Sequence, residues 1–496
     1  MKSNLIANYF GQFWRLFMSV FFIPIYVKML GAEAYGLIGA FAILQSSVAI
    51  LDMGMRPATS RELARYTGGI VSLNKIWNLL RTVEIITFAI SILLFLVIYF
   101  VSEWLTVIWL NNTELTNERV SSSLCIMGAI LALSFIESLY SNCLIGLQKQ
   151  VIFNFILILS SSMKGIGAIL VLNFFSASIE AFFYWQLICV IFSVVAFAIF
   201  TYGNLPRGLT LPNFSMYSLQ EVWKFAAGMT GVTLTALILT QVDKVMLSKF
   251  LPLQEFGYYT LAFLVSNSLY TLITPVSQAY LPKLTEAVAE KNDAAVLHHY
   301  HSGAQLVSAL AGSAAIVIYL YSDRILLAWT GDLLLVQEIS LIVCFLTVGT
   351  FLNGLAWMPF QLQVAYGWTK LTLKINILLI LTIIPSLFLV IPSFGALGVA
   401  YVWILLNTLS LIIGITIMHK RLLMDQKFTW ILKDVAQPII VAYMAAKLIG
   451  SIVTKSESQL IEAINIFIIV ILTALSSLIF CDRLRAPILL RLKNWF

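Results

Sequence analysis

Apolar residues in this chain come in long unbroken runs, each closed by charged residues, proline or glycine. Nearly every run reaches the ~20 residues an α-helix needs to cross a bilayer. The runs are continuous rather than alternating, so they predict helices and exclude a β-barrel. Runs and punctuation together predict fourteen spans, at about 5–27, 36–55, 82–104, 121–145, 151–174, 179–202, 225–248, 258–280, 303–322, 338–362, 371–392, 394–418, 435–453 and 461–480. The expected fold class is an all-α polytopic membrane protein with about 14 transmembrane helices.

One corner of this pattern occurs twice. KMLGAEAYG, from Lys28 to Gly36, returns as KFLPLQEFG, from Lys249 to Gly257, at an offset of 221 residues. Lysine, leucine and glycine keep register, and an aromatic residue (Tyr35, Phe256) precedes the glycine both times. Six spans separate the corners, so both face the same side of the membrane. An even-numbered duplication in one orientation implies two pseudo-symmetric six-helix lobes related by an axis along the membrane normal, with two extra C-terminal helices. The expected boundaries are 1–210 for the N-lobe, 211–420 for the C-lobe, and 421–496 for spans 13–14 and a basic cytoplasmic tail. The proline-punctuated NLPRGLTLPNF, Asn204 to Phe214, suits a linker between lobes.

Composition agrees: 60% of the 496 residues are apolar and 11% charged, against about a quarter charged in a soluble protein. With the N-terminus inside, the inner segments hold twenty of the thirty Lys and Arg residues, and the outer loops hold five. That asymmetry fixes both termini inside and explains the net charge of +7 without nucleic acid. The first apolar segment carries Arg15 and no small-residue cleavage site, so it does not read as a cleavable signal. Cys125, Cys143, Cys189, Cys344 and Cys481 read as packing residues rather than a disulfide framework.

Several inner segments read as anchors. Thr59 and Glu62 have capping-box spacing, which predicts a helix starting just beyond Pro57. Ser218 and Glu221 repeat that spacing. Leu73, Trp77 and Leu80 form an apolar stripe expected to lie on the inner membrane face, and the tail RLRAPILLRLKNWF reads as another interfacial helix. His298, His299 and His301 have no fixed ligand spacing, so a solvated loop and no metal are expected.

Charged residues also fall inside the spans. A charge near the bilayer centre costs about 2.5–3.5 kcal/mol, so each needs a partner or a water-filled cavity. Arg15 falls near the middle of span one, in a stripe with Asn8, Gln12, Ser19 and Tyr26. Span five carries Asn154, Ser161 and Lys164; span seven carries Thr230, Thr233, Thr240 and Lys244, with Asp243 beside it. Lys244, roughly 12 Å from its span centre by helical rise, could also snorkel outward. Span four carries Glu137, and span two carries Gln45 and Asp52, the latter placed to pair with Arg56. Lys374 and Lys447 lie nearer span ends.

Arg15 and Glu137 form either a buried structural pair or part of a polar cavity. In a cavity, the basic surplus favours an anionic substrate, and the arginine fork suits a pyrophosphate. The candidate substrate-binding cations are Arg15, Lys164 and Lys244, with Asn8, Gln12, Asn154, Thr233 and Thr240 as lumen polar residues. Glu137 and Asp243 are candidates for ion coupling or charge balance.

The chain resembles the O-antigen flippases of the multidrug/oligosaccharidyl-lipid/polysaccharide exporter superfamily. The resemblance lies in LGAEAYG, LDMGMRPATSREL (Leu51 to Leu63), TQVDKVMLSKFLPLQEFGYYTLA (Thr240 to Ala262) and PVSQAYLPKLTE (Pro275 to Glu286). It implies a MATE-like pair of six-helix lobes working by alternating access in the bacterial inner membrane, with both termini cytoplasmic. The implied substrate is a polyprenyl-pyrophosphate-linked oligosaccharide, an anionic lipid that Arg15, Lys164 and Lys244 would hold. No cofactor and no catalytic residue are implied, and a polysaccharide polymerase or chain-length regulator would be a neighbour.

A peptidoglycan-precursor lipid flippase of the same fold stays open. A multidrug cation exporter would favour carboxylates in the cavity. A polysaccharide polymerase or ligase would present a sizeable outer loop with acid/base residues, whereas the outer loops near 105–120 and 323–337 are short. No phosphate-binding glycine loop is found, so transport would draw on an ion gradient, the membrane potential or product removal.

Overall fold

The computed structural model describes the backbone of residues 2–51, 55–67, 69, 72–110, 115–206, 213–216, 234–235, 237–368 and 370–483. Within these it describes all side chains except those of 2–9, 12, 16, 47, 49–51, 55–58, 61 and 64. The chain forms two compact units, Met1–Gly257 and Tyr258–Phe496. Eleven stretches among the described residues are helical, long and apolar enough to cross a membrane. The predicted span 36–55 is the helix Ala32–Leu51, and the predicted span 225–248 lies partly outside the described residues.

Helix bounds repeat at the offset read from the corners. Adding 221 to the ends of Leu73–Ile108 gives 294 and 329, against the observed Asp293–Thr330. Each corner also closes the same first turn. The Tyr35 N–H donates to the Gly31 carbonyl at 3.2 Å, and the Phe256 N–H donates to the Pro252 carbonyl at 3.0 Å. Gly31 needs its freedom there, since its φ of +85° suits glycine alone.

The predicted spans 371–392 and 394–418 fall in one element, Lys370–Leu422, broken at Gly395 with φ 53° and ψ −137°. A straight helix of its 53 residues would measure about 80 Å, far beyond a bilayer. The break turns the chain back: a β-carbon on Gly398 would come within 2.3 Å of the Val390 side chain, eight residues earlier.

In the first unit, Leu63, Leu79, Leu80, Phe135, Leu139 and Cys143 share one buried core. The capping-box expectation needs correction here. The helix is Met55–Thr67, with Pro57 inside its first turn, where no backbone donor is required. It packs closely on Asn117–Gly146, since a methyl on Gly146 would meet the Ser60 carbonyl at 2.5 Å. The stripe Leu73, Trp77 and Leu80 is likewise no surface loop. It forms the first turns of Leu73–Ile108, and Leu80 reaches the core.

In the second unit, Asp293–Thr330 is mostly buried, whereas Leu73–Ile108 leaves Phe88, Ile92, Leu96 and Phe100 exposed. The extra C-terminal helices, Gln437–Ile452 and Gln459–Ile479, account for the difference. They pack on Asp293–Thr330 through Val317, Ala446 and Ile469. Arg324, expected in an outer loop, lies on that helix and is paired with buried Glu462 of the last one.

Candidate functional site

Helix Lys2–Phe21 is held against Gln150–Phe174 along one face. A methyl on Gly11 would come within 2.1 Å of the Asn154 Oδ1, so the helices meet backbone to side chain there. The Trp14 indole donates to Ser162 Oγ at 2.9 Å, and the Tyr26 hydroxyl donates to the Gly165 carbonyl at 3.0 Å. Gly165 also receives Phe22, whose ring lies 2.6 Å from where its β-carbon would sit.

With Gly11, Trp14, Phe22 and Tyr26 committed to this seam, Arg15 and Ser19 fall on the exposed side of the helix. Phe10, Phe13, Phe17 and Phe21 are exposed too, and Phe17 stacks on Phe21 at 5.1 Å. The Asn8 and Gln12 side chains lie outside the described residues.

Asn154 is buried in the seam, its amide donating to the Gln150 carbonyl at 2.7 Å. Lys164 is half-buried, one residue before Gly165, and its backbone carbonyl accepts from Gln186 Nε2 at 3.3 Å. Lys244 donates to the Thr240 carbonyl at 2.6 Å and to both oxygens of Asp243 at 3.2 Å. Asp243 is buried, so its carboxylate neutralises Lys244 locally. Thr240 is exposed, its hydroxyl donating to the Leu237 carbonyl at 3.1 Å, and Thr233 lies outside the described residues. Glu137 is half-buried and makes no hydrogen bond or ion pair among the described residues.

Two buried polar centres escaped the sequence reading. Glu84 is buried and accepts hydrogen bonds from the hydroxyls of Tyr140, at 3.0 Å, and Tyr202. Arg81 stands 3.5 Å from its other oxygen. The same helix end anchors the segment after Asn204. The Trp77 indole donates to the Pro206 carbonyl at 3.0 Å, the Asn213 N–H to Asn78 Oδ1 at 2.8 Å, and the Ser215 N–H to Thr82 Oγ1 at 2.9 Å. The sequence signal was Glu84 itself, a carboxylate inside a predicted span, one turn from Arg81.

The second centre corrects the reading of the histidines as a solvated loop. They lie in the first turns of Asp293–Thr330, which starts on an Asn292 cap, and His301 is 0% exposed. Its ring bonds to buried Asp434 and, at 3.2 Å, to Gln426 Oε1. Gln305 donates to Asp434 at 3.0 Å and accepts the Arg483 N–H at 3.2 Å. No local pattern announces Asp434, which pairs across 133 residues.

The profile of the family described as "Polysaccharide biosynthesis protein" matches residues 1–288. The "Putative O-antigen transporter" of Shigella flexneri is 21% identical over 402 residues, covering 81% of this chain and 93% of that protein. Among solved structures, the lipid II flippase MurJ in an inward closed conformation superposes with a TM-score of 0.72 at 16% identity, covering 96% of this chain and 98% of that one. An inward-facing multidrug resistance MATE family transporter of the MOP superfamily gives a TM-score of 0.70 at 14% identity, covering 82% and 95%. The all-helical membrane fold expected from the apolar runs is therefore the fold observed, like that of the MATE and MurJ structures. A profile matched over more than half of the sequence, together with that fold, makes this chain a member of the polysaccharide biosynthesis protein family.

Proposed function

We propose that the protein is a flippase that moves a polyprenyl-pyrophosphate-linked oligosaccharide from the inner to the outer leaflet of the bacterial cytoplasmic membrane. The observation that carries this reading is the placement of Arg15. It stands in the first membrane helix, exposed among the described residues, next to Trp14, which packs with Gly11 and Phe22 on Gln150–Phe174. A guanidinium held at that depth needs a polar path, and its fork matches two pyrophosphate oxygens. Lys164, half-buried, adds a second cation on the neighbouring helix, while Lys244 is held by Asp243.

In this reading both termini are cytoplasmic and the two six-helix repeats work by alternating access. Asn8, Gln12, Thr233 and Thr240 are the polar residues of the path, while Asn154, buried in the seam, holds the two helices that border it. Glu137 serves ion coupling or charge balance, and a polymerase or chain-length regulator receives the product. The near-complete coverage of MurJ supports a second reading, a peptidoglycan-precursor lipid, which shares the pyrophosphate. Proteoliposomes loaded in parallel with a fluorescent polyprenyl-pyrophosphate oligosaccharide and with a peptidoglycan precursor separate the two by which lipid changes leaflet.

A further inference from the structure

Two membrane helices are each distorted at one turn, and each goes on from an aromatic residue. Leu253–Asn267 gives way to Tyr270–Ala289, and Leu333–Leu355 to Trp357–Ala365. The two resuming residues meet, with the Tyr270 and Trp357 rings 5.7 Å apart and tilted by 36°. Both donate to one amide oxygen, Asn353 Oδ1, the tyrosine at 2.8 Å and the indole at 3.4 Å. Asn353 passes the bond on, its Nδ2 donating to Asn407 Oδ1 at 2.8 Å. One turn beyond Trp357, Gln361 donates to Ser277 Oγ at 2.9 Å.

Tyr270, Asn353, Trp357 and Gln361 are all only half-buried, and Thr271 and Gln278 beside them are exposed. Gln278, an exposed amide within a membrane helix, is costly against lipid, so this face suits water or a polar ligand. The repeat supplies the control. At the offset of 221 the first repeat has Ala49, Ala132 and Ile136 where the second has Tyr270, Asn353 and Trp357. The six-helix fold is built in the first half without this cluster, so packing alone does not demand it.

We propose that Tyr270 and Trp357, with Asn353 and Gln361, form a carbohydrate subsite that receives a pyranose ring of the transported glycan. An aromatic face covers the apolar C–H face of a sugar, and amides bond its hydroxyls. The cations carry the pyrophosphate; this subsite carries the sugar. The proposal rests on the flippase reading and adds a discrimination that reading lacks. Because Asn353 anchors both rings, it positions them, while the rings and Gln361 make the contact.

The test compares native protein with Trp357→Ala and Trp357→Phe in proteoliposomes. It measures translocation of a fluorescent polyprenyl-pyrophosphate trisaccharide and its competition by sugar-free polyprenyl pyrophosphate. Trp357→Ala is expected to slow translocation about five- to tenfold, the size of one lost aromatic contact, with competition by the sugar-free lipid unchanged. Trp357→Phe keeps a ring and is expected to retain most activity, and both variants should elute as native monodisperse protein. If Trp357→Ala flips the trisaccharide lipid as the native protein does, the subsite is refuted while the flippase reading stands. Equal losses toward both lipids would make the cluster structural and also refute it. A native protein that moves no sugar lipid refutes the flippase reading first, and the subsite with it.

Discussion

Gly36 and Gly257 are each other's counterpart, and each meets the start of the other's helix. A β-carbon on Gly36 would lie 2.1 Å from the Leu253 carbonyl oxygen, and one on Gly257 would lie 2.4 Å from the Ala32 carbonyl oxygen. Leu253 is Ala32 displaced by 221 residues, as Gly257 is Gly36. The contact between the two corners is therefore reciprocal. The glycine of the repeated corner is kept in both copies because two backbones touch there.

Gly36→Val and Gly257→Val should each destabilise the protein by about 1–3 kcal/mol, the cost of overpacking against a backbone that cannot yield. Gly203→Ala serves as the control, since a methyl there meets nothing within 4 Å. Denaturant unfolding in detergent micelles reads the difference. Equal stabilities for all three would remove the close contact from the account.

The pair His301–Asp434 fastens the C-terminal helices to Asp293–Thr330. Asp434→Ala leaves a buried imidazole and Gln305 without this acceptor, and should cost about 1–3 kcal/mol for each bond lost. Cys481 is buried with its Sγ 4.0 Å from the Gln305 carbonyl, so loosening this joint exposes it. Alkylation of Cys481 at constant pH, followed site by site in a mass spectrometer, should be faster in Asp434→Ala than in the native protein. An unchanged rate would show that the joint holds without the pair.

Glu84 occupies the position that Gln305 takes in the second repeat, 221 residues on. Each ties a later part of its own unit to the start of the long helix, Tyr202 in the first case and Asp434 in the second. Glu84→Ala leaves the Tyr140 and Tyr202 hydroxyls without their shared acceptor, at a cost of about 1–3 kcal/mol, whereas Glu84→Gln keeps a carbonyl oxygen and should lose less. The two variants ranked the other way in unfolding would contradict this.

For Asp243 and Lys244 a double-mutant cycle is the proper measurement. Asp243→Asn alone removes the counter-charge of the half-buried Lys244 ammonium and should destabilise the protein. Adding Lys244→Gln should recover most of that loss. Additive losses would mean the two charges do not depend on each other.

The fold was legible because membrane helices declare themselves by length and apolarity, and because Lys28–Gly36 returns at Lys249–Gly257 in register. Even the break at Gly395 showed as Pro392 and Gly395 between two apolar runs. Local readings fared worse where a tertiary partner decides. Leu73, Trp77 and Leu80 read as a surface stripe, yet Leu63 and Leu139 cover Leu80. His301 read as solvated because its partner Asp434 is 133 positions away. Tyr270 and Trp357 carry no mark in one dimension; two distorted helix turns bring them together.

The decisive measurement is leaflet translocation of a fluorescent polyprenyl-pyrophosphate oligosaccharide in proteoliposomes, with native protein beside Arg15→Lys and Arg15→Gln. A forked guanidinium that carries the pyrophosphate predicts transport by the native protein, a partial loss in Arg15→Lys and a loss of about tenfold or more in Arg15→Gln, with all three equally folded. Transport by Arg15→Gln at the native rate would contradict it.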